Sequence, residues 1–122
     1  MLPPERHTLP KAERLSGKTT IATLMRSGRY VAVPPLRCCF RKREDGEPCR
    51  VAVSVPKRLF KRAVKRNLLK RRLRESFRLQ KQLLPEGVDL MLIYSAPEIL
   101  PFVEIHDAVG KILTNIAGNG NV

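Results

Sequence analysis

The chain of 122 residues lacks the residue groups on which most nucleases and redox proteins depend. It has three cysteines, two histidines and no tryptophan. An odd number of cysteines without a C-x-x-C spacing fits neither a disulfide framework nor a zinc site. The acidic residues are scattered, whereas a protein-only nuclease needs grouped carboxylates for two metal ions. We therefore predict no metal site and no catalytic residue in this chain.

Long apolar runs are also missing. No run reaches the roughly 20 residues that a helix needs to span a bilayer. The opening residues, MLPPERH, have no apolar core of a signal peptide. We therefore expect a cytoplasmic protein with no membrane partner. The length predicts one domain over 1–122, with an irregular arm over 1–14 and a flexible tail over 117–122.

Acidic residues are few beside the basic ones. The sequence has 24 Lys plus Arg against 11 Asp plus Glu, a net charge of +13. Self-repulsion of this size destabilises a compact state, and a polyanionic partner is the usual compensation. Nucleic acid is the first candidate partner, and an anionic membrane surface is the second.

The apolar periodicity predicts an α+β protein with the element order helix, hairpin, helix, strand, helix. A first helix is capped by Ser16 and ends at Gly28, and Pro34-Pro35 then forces extended chain. Strands over 36–43 and 50–55 are predicted to form a hairpin through an Asp-Gly turn. A long helix over 61–84, a central strand over 88–94 and a helix over 101–116 follow. These elements predict a two-layer α–β sandwich with a small central sheet.

The long helix and the loop before it carry the clearest functional signal. Of the eighteen residues over 57–74, ten are basic and none is acidic. A solvated helix face normally mixes signs, because like charges at i, i+4 repel. Leu69, Leu73 and Phe77 predict a core-facing side, and an i, i+4 column of cations is predicted on the opposite side. That column is Arg62, Arg66, Lys70, Arg74 and Arg78.

The abundance of arginine in this segment favours RNA, since guanidinium binds phosphate through two hydrogen bonds and stacks on bases. Two alternatives to RNA binding are a run of solvated surface charges and a helix that lies on a membrane surface. A ribosomal structural protein would have the same composition, and co-purification with one short RNA or with ribosomal subunits separates the two. A helix-turn-helix DNA-binding protein is a third possibility, against which the strands argue.

The segment Arg66-Asn67-Leu68-Leu69-Lys70-Arg71 resembles the Arg-Asn-x-x-Lys-Arg signature of the bacterial ribonuclease P protein family. The flanking segments 51–58, 63–65 and 74–77 resemble the family as well, and the likeness extends over about 9–113. It implies an α–β sandwich in which a left-handed β–α–β crossover presents the signature helix. The chain departs from the family at Leu68, where many members have a third arginine, and at Ile21 and Met25, which are often Phe.

The resemblance also implies a function. The protein is expected to be the non-catalytic subunit of an endoribonuclease, inactive alone and with no obligate protein partner. Its partners are the ribonuclease P RNA, which is the catalyst and uses Mg²⁺, and the precursor tRNA, from which the RNA removes the 5′ leader.

Two groups of site residues follow from the resemblance. The first group contacts the catalytic RNA and consists of Arg62, Lys65, Arg66, Asn67, Lys70, Arg71, Arg72 and Arg74. The second contacts the single-stranded leader in a cleft between the first helix and the sheet, and consists of Phe40, Lys57, Arg58 and Lys61. Phe40 is the expected base-stacking residue, with ordinary core packing as the alternative.

Overall fold

The computed structural model describes residues 13–43 and 48–119, which form one sheet of four strands and three α-helices. The elements in chain order are α1 (Lys18–Ser27), β1 (Arg29–Val33), β2 (Leu36–Lys42), β3 (Arg50–Ser54), α2 (Ala63–Gln80), β4 (Val88–Tyr94) and α3 (Phe102–Asn119). A short 3₁₀ turn, Lys81–Leu83, extends α2. The α+β class and the helix-on-sheet arrangement predicted from the sequence are confirmed.

The strand order, β1-β2-β4-β3, contradicts the predicted hairpin of β2 with β3. β2 pairs antiparallel with β1 on one side and with β4 on the other. β3 pairs parallel with β4 and lies at the edge of the sheet. The chain therefore crosses from β3 through α2 to its parallel neighbour β4, as parallel pairing requires. The left hand of this crossover stays a prediction.

Both faces of the sheet are covered. Alternate residues of β2 and β4, such as Leu36, Cys38, Leu90 and Leu92, pack against α2 and α3 in the larger core. On the opposite face, α1 packs over β2 and β4, and a smaller cluster is formed by Leu15, Leu24, Cys39 and Ala52. Because β4 is central and covered twice, it reads as the near-continuous apolar run from which it was predicted.

The first third of the chain differs from its prediction in two places. Gly17, not Ser16, occupies the N-cap of α1, with a positive φ of 97°, and no side chain caps this helix. Pro34-Pro35 forms a cis turn that joins β1 to β2, and the sequence had shown no strand over Arg29–Val33. Gly28 does end α1 as its C-cap. Glycine is required there because a Cβ would lie 2.6 Å from the carbonyl oxygen of Leu24 and 2.7 Å from Sγ of Cys39.

The two long helices agree with the sequence pattern. Leu69, Leu73 and Phe77 are fully buried on α2, and the predicted apolar set of α3 is buried as well: Ile105, Val109, Ile112 and Ile116. The predicted tail is helical as far as Asn119. Most of the predicted arm lies outside the described residues, but Arg14 forms an isolated bridge with Val51 and Leu15 is buried. No helix in the described ranges is long and apolar enough to cross a membrane.

Candidate nucleic-acid interface

The loop between β3 and α2 is anchored by one aromatic residue. Backbone N–H groups of Leu59 and Phe60 donate to the carbonyl of Pro56, at 3.1 and 3.3 Å, which closes a turn after the strand. The Phe60 ring is buried and lies 5.9 Å from the Tyr94 ring, centroid to centroid. The basic side chains of the loop, by contrast, are exposed: Lys57, Arg58, Lys61 and Arg62. The loop thus presents its cations from a fixed base.

Arg66, the first residue of the signature, is engaged with the protein itself. Its Nη1 donates to the carbonyl oxygens of Phe60, at 2.7 Å, and Lys61, at 2.8 Å. The side chain is half-buried under the loop. Charged donors make the stronger class of protein hydrogen bonds, so this arginine fixes the loop against the first turn of α2. Its place in the structure corrects the expectation of a fully solvent-facing cation.

Two other arginines of α2 are also held by protein groups. Arg72 donates from Nη1 to the carbonyl oxygen of Leu100, at 2.6 Å, and so ties α2 to the segment before α3. Arg78 pairs with Glu75 through Nε and Nη2, at 3.0 and 2.5 Å. The predicted column of cations is therefore not uniform, because its members at Arg66 and Arg78 already have partners.

The other basic residues of the signature helix are exposed, apart from Lys70, which is half-buried. Within residues 13–43 and 48–119, no carboxylate forms an ion pair with any of Arg62, Lys65, Lys70, Arg71 or Arg74. Burial lowers the pKa of Arg74, and the nearby Arg14 guanidinium lowers it further. The positive charge of these two guanidiniums favours the approach of an anion.

Two surface grooves border these cations. One, of about 430 Å³, lies between the β3–α2 loop and the segment after β4, and its basic residues are Lys61, Arg62 and Lys65. The second, of about 760 Å³, follows the outer face of α2 toward Phe102. It is lined by Asn67, Leu68, Arg71, Arg72, Arg74 and Glu75 as well. Charged and apolar side chains both line this groove, as in sites that take both phosphates and bases.

Phe40 does not belong to this surface or to the cleft beside α1. Its side chain is 7% exposed and packs in the larger core, on the face of the sheet that α2 and α3 cover. Because side chains alternate along a strand, the neighbour Cys39 faces α1 instead. The expectation that Phe40 stacks on a leader base is therefore wrong for this conformation, and the alternative of core packing holds.

The predicted leader residues are also not together. Phe40 pairs with Leu90, which in turn pairs with Val51 on β3. Lys57 follows Val51 by six residues, which is about 20 Å along an extended chain. Lys61 instead shares its groove with Arg62 and Lys65. The structure thus places Lys61 of the second group beside Arg62 and Lys65 of the first group.

The one buried carboxylate among the described residues is engaged in packing the sheet. Asp89 on β4 is 1% exposed, and its carboxylate accepts hydrogen bonds from Nε and Nη2 of Arg50, at 2.9 and 2.7 Å. Nε of Arg43 lies 2.9 Å from the same carboxylate. This cluster holds the edge strand β3 and the end of β2 to β4. Across the described ranges, no three His, Cys, Asp or Glu residues are grouped as a metal site needs.

An exposed aromatic residue that the sequence patterns did not single out lies on the α1 side of the sheet. Tyr30 on β1 donates from its hydroxyl to the carbonyl oxygen of Met25, at 3.1 Å. The guanidinium carbon of Arg37 lies 5.7 Å from the centre of the Tyr30 ring. The missing signal was the strand itself, because without β1 nothing placed Tyr30 beside β2.

The fold and the surface together define a class: a small α+β protein in which a cationic helix links two parallel strands. The family described as Ribonuclease P matches residues 9–117. A "Ribonuclease P protein component" of Porphyromonas gingivalis is 38% identical over 98% of this chain and 93% of its own length. One of Gluconacetobacter diazotrophicus is 37% identical over 68% of this chain and 72% of its own length.

Solved structures agree with the sequence relatives. The ribonuclease P protein of Thermotoga maritima superposes with a TM-score of 0.76 at 26% identity, over 85% of this chain and 97% of that protein. A Staphylococcus aureus ribonuclease P protein, at 24% identity, has the same fold with a TM-score of 0.76. This chain belongs to the ribonuclease P protein family.

Proposed function

We propose that this chain is the protein subunit of ribonuclease P, in which an RNA removes the 5′ leader from precursor tRNA. The observation that carries the proposal is the outward cationic surface of α2 and its preceding loop, in a chain of this family. RNA is the chemical partner that such a surface fits, because its phosphates repeat along a backbone while the cations are fixed on a rigid helix. Mg²⁺ is used by the RNA.

The residues proposed to contact the catalytic RNA are those with outward side chains on α2 and at its start: Arg62, Lys65, Asn67, Lys70, Arg71 and Arg74. Arg66 and Arg72 have a different proposed role, which is to hold the loop and the start of α3 in place. Their hydrogen bonds to the carbonyls of Phe60, Lys61 and Leu100 support that division. A positioned loop then carries Lys57, Arg58 and Lys61 toward phosphates of the precursor leader.

The proposal is tested by reconstitution. The purified chain is mixed with a bacterial ribonuclease P RNA at low Mg²⁺, and cleavage of a labelled precursor tRNA is followed. We expect the chain to raise cleavage above that of the RNA alone, and Arg71→Ala to require more protein for the same rate.

Lys111→Ala is the matched control, because it removes one exposed positive charge from α3, away from the proposed surface. We expect this variant to behave as the native chain does. A native chain that fails to stimulate the RNA, and that co-purifies with ribosomal subunits, would instead support the ribosomal alternative.

A further inference from the structure

The cations of α2 and its preceding loop fall into two groups that meet at one acidic residue. Glu75 is the only acidic residue over 57–85. After it come two basic residues, Arg78 and Lys81, and a carboxylate binds each of them. Before it lie five cations with which no carboxylate of the described residues forms an ion pair. We call these five the cationic track: Arg62, Lys65, Lys70, Arg71 and Arg74.

Arg78 is held by Glu75 through two hydrogen bonds. Nε and Nη2 of Arg78 donate to the two carboxylate oxygens of Glu75, at 3.0 and 2.5 Å. Both side chains are partly exposed, at 23% and 24%. Arg71, Glu75 and Arg78 follow one another at i, i+4 and i+7, so they share one face of α2. The carboxylate thus occupies the next position on the face that carries Arg71.

Lys81 is held by a residue from the start of the chain. Its Nζ donates to the carboxylate oxygens of Glu13, at 2.7 and 3.0 Å. The backbone keeps this segment in place, because Arg14 bridges to Val51 on β3 and the N–H of Leu15 donates to the Val51 carbonyl oxygen, at 2.9 Å. The Leu15 side chain is buried. The segment 13–15 is therefore anchored independently of the ion pair, and it brings a second carboxylate to the end of α2.

Stability alone gives little reason for these two pairs. Partly exposed ion pairs contribute little to folding, because water and salt screen them. The same carboxylates have a larger effect on an approaching polyanion. A phosphate near Arg78 or Lys81 lies beside a carboxylate, and like charges brought together at an interface repel.

Such repulsion bears on the choice of partner. Binding of unrelated nucleic acid is almost entirely electrostatic and grows with the number of phosphates that are neutralised. A protein selects one partner by penalising the others as well as by favouring the right one. A cationic surface of limited length therefore loses more affinity for a continuous phosphate backbone than for an RNA whose folded shape fits that length.

We propose that Glu75 and Glu13 end the cationic track and thereby determine its specificity for the catalytic RNA, an inference that rests on the proposed function. The track runs from Arg62 to Arg74, about 18 Å at 1.5 Å per residue. The catalytic RNA places its phosphates within this length. The backbone of an unrelated duplex continues past Arg74 and meets the two carboxylates.

The test compares two RNAs in their binding to the full chain: a bacterial ribonuclease P RNA and an unrelated RNA duplex of about thirty base pairs. Glu75→Gln and Glu13→Gln keep the shape of the side chain and remove its charge. We expect each change to raise affinity for the duplex about two- to fivefold, the range of one exposed ion pair. The slope of log affinity against log salt should steepen by about one unit for the duplex, as one new phosphate contact requires. Affinity for ribonuclease P RNA should not change.

Two control variants separate this effect from a general gain of positive charge. Asp107→Asn removes a carboxylate that lies 3.3 Å from Nζ of Lys111 on α3, away from the track. It changes the net charge by the same amount and should alter neither affinity. The double variant Glu13→Gln with Lys81→Gln should bind the duplex as the native chain does, because the gain requires the released Lys81.

The inference has clear grounds for rejection. Equal gains for both RNAs, or the same gain from Asp107→Asn, would overturn it, because net charge alone would then explain the binding. A folded Glu75→Gln or Glu13→Gln variant without any gain for the duplex would overturn the role of that residue. Circular dichroism melting shows whether each variant is folded. Should Glu75→Gln not fold, Glu13→Gln decides the matter, since Glu13 lies outside α2.

The two proposals fail in different ways. If the native chain stimulates the catalytic RNA but the glutamine variants discriminate between the two RNAs as well as it does, the inference is wrong and the proposed function stands. If the native chain never stimulates the catalytic RNA, the proposed function is wrong, whatever the glutamine variants show.

Discussion

Replacing Arg66 by alanine should affect the stability of the protein more than its direct contact with RNA. The change removes a charged donor that bonds the carbonyl oxygens of Phe60 and Lys61 at 2.7 and 2.8 Å. A hydrogen bond to a charged group contributes about 1.5–3 kcal/mol. The two bonds share one nitrogen, and water can reach part of the loop, so we expect a total loss of about 1–2 kcal/mol.

For a chain of this size, such a loss lowers the melting temperature by roughly 3–10 °C. Arg71 provides the comparison, since it is exposed and no carboxylate of the described residues pairs with it. Arg71→Ala should change the free energy of unfolding by no more than about 0.5 kcal/mol. It should instead flatten the salt dependence of RNA binding by about one unit, as the loss of one phosphate contact does.

Arg66→Lys separates charge from hydrogen-bond geometry. Lysine keeps the positive charge but lacks the planar fork that spans two carbonyl oxygens. We expect it to melt between the native chain and Arg66→Ala, with an unchanged salt slope. The assays are thermal melting by circular dichroism and a salt titration of binding to ribonuclease P RNA. If Arg66→Ala melts as the native chain does and loses one unit of slope, Arg66 contacts phosphate and does not position the loop.

Four further outcomes are expected. Purified chain free of RNA should cleave no RNA at any Mg²⁺ concentration, and metal-dependent cleavage by it would contradict the proposal. Replacing Lys65, Arg71 and Arg74 together by alanine should flatten the salt slope by about two to three units. Phe40→Ala should cost about 3–5 kcal/mol of stability by denaturant unfolding, with normal leader binding once folded. Asp89→Ala should also cost roughly 3–5 kcal/mol, because it leaves two arginines beside the sheet without their carboxylate.

The helices and the central strand could be predicted from the sequence because their signals are local. Leu69, Leu73 and Phe77 repeat at helical spacing, and an uninterrupted apolar run suits a strand covered on both faces. The pairing of strands is not local. The Asp-Gly signal favoured a hairpin of β2 with β3, yet β4, nearly forty residues further along, lies between them. Only the apolar run of β4, which suits a central strand with a neighbour on each side, pointed to that order.

The side of the sheet to which Phe40 points was equally hidden. Alternation tells the two faces of a strand apart only when one of them is polar. Cys38, Cys39 and Phe40 are all buried, because α1 covers one face and α2 with α3 cover the other. A shift of one residue exchanges the two faces, and three consecutive buried residues give no reference point. The sequence did not predict β1. The pairing of Tyr30 on β1 with Cys39 on β2 could therefore not be used to tell the two faces of β2 apart.

The position of Arg66 near the core side of α2, by contrast, could have been found from spacing alone. Each i, i+4 step turns about 40° around a helix, so a column of cations drifts from one face toward another. Arg66 precedes the buried Leu69 by three residues and therefore starts near the core side, whereas Arg78 ends near solvent. Of the ten basic residues over 57–74, Arg66 and Arg72 have backbone partners, which leaves eight. The salt slope of RNA binding should therefore fall well short of the value for ten phosphate contacts, near −4 to −5 if about six are made.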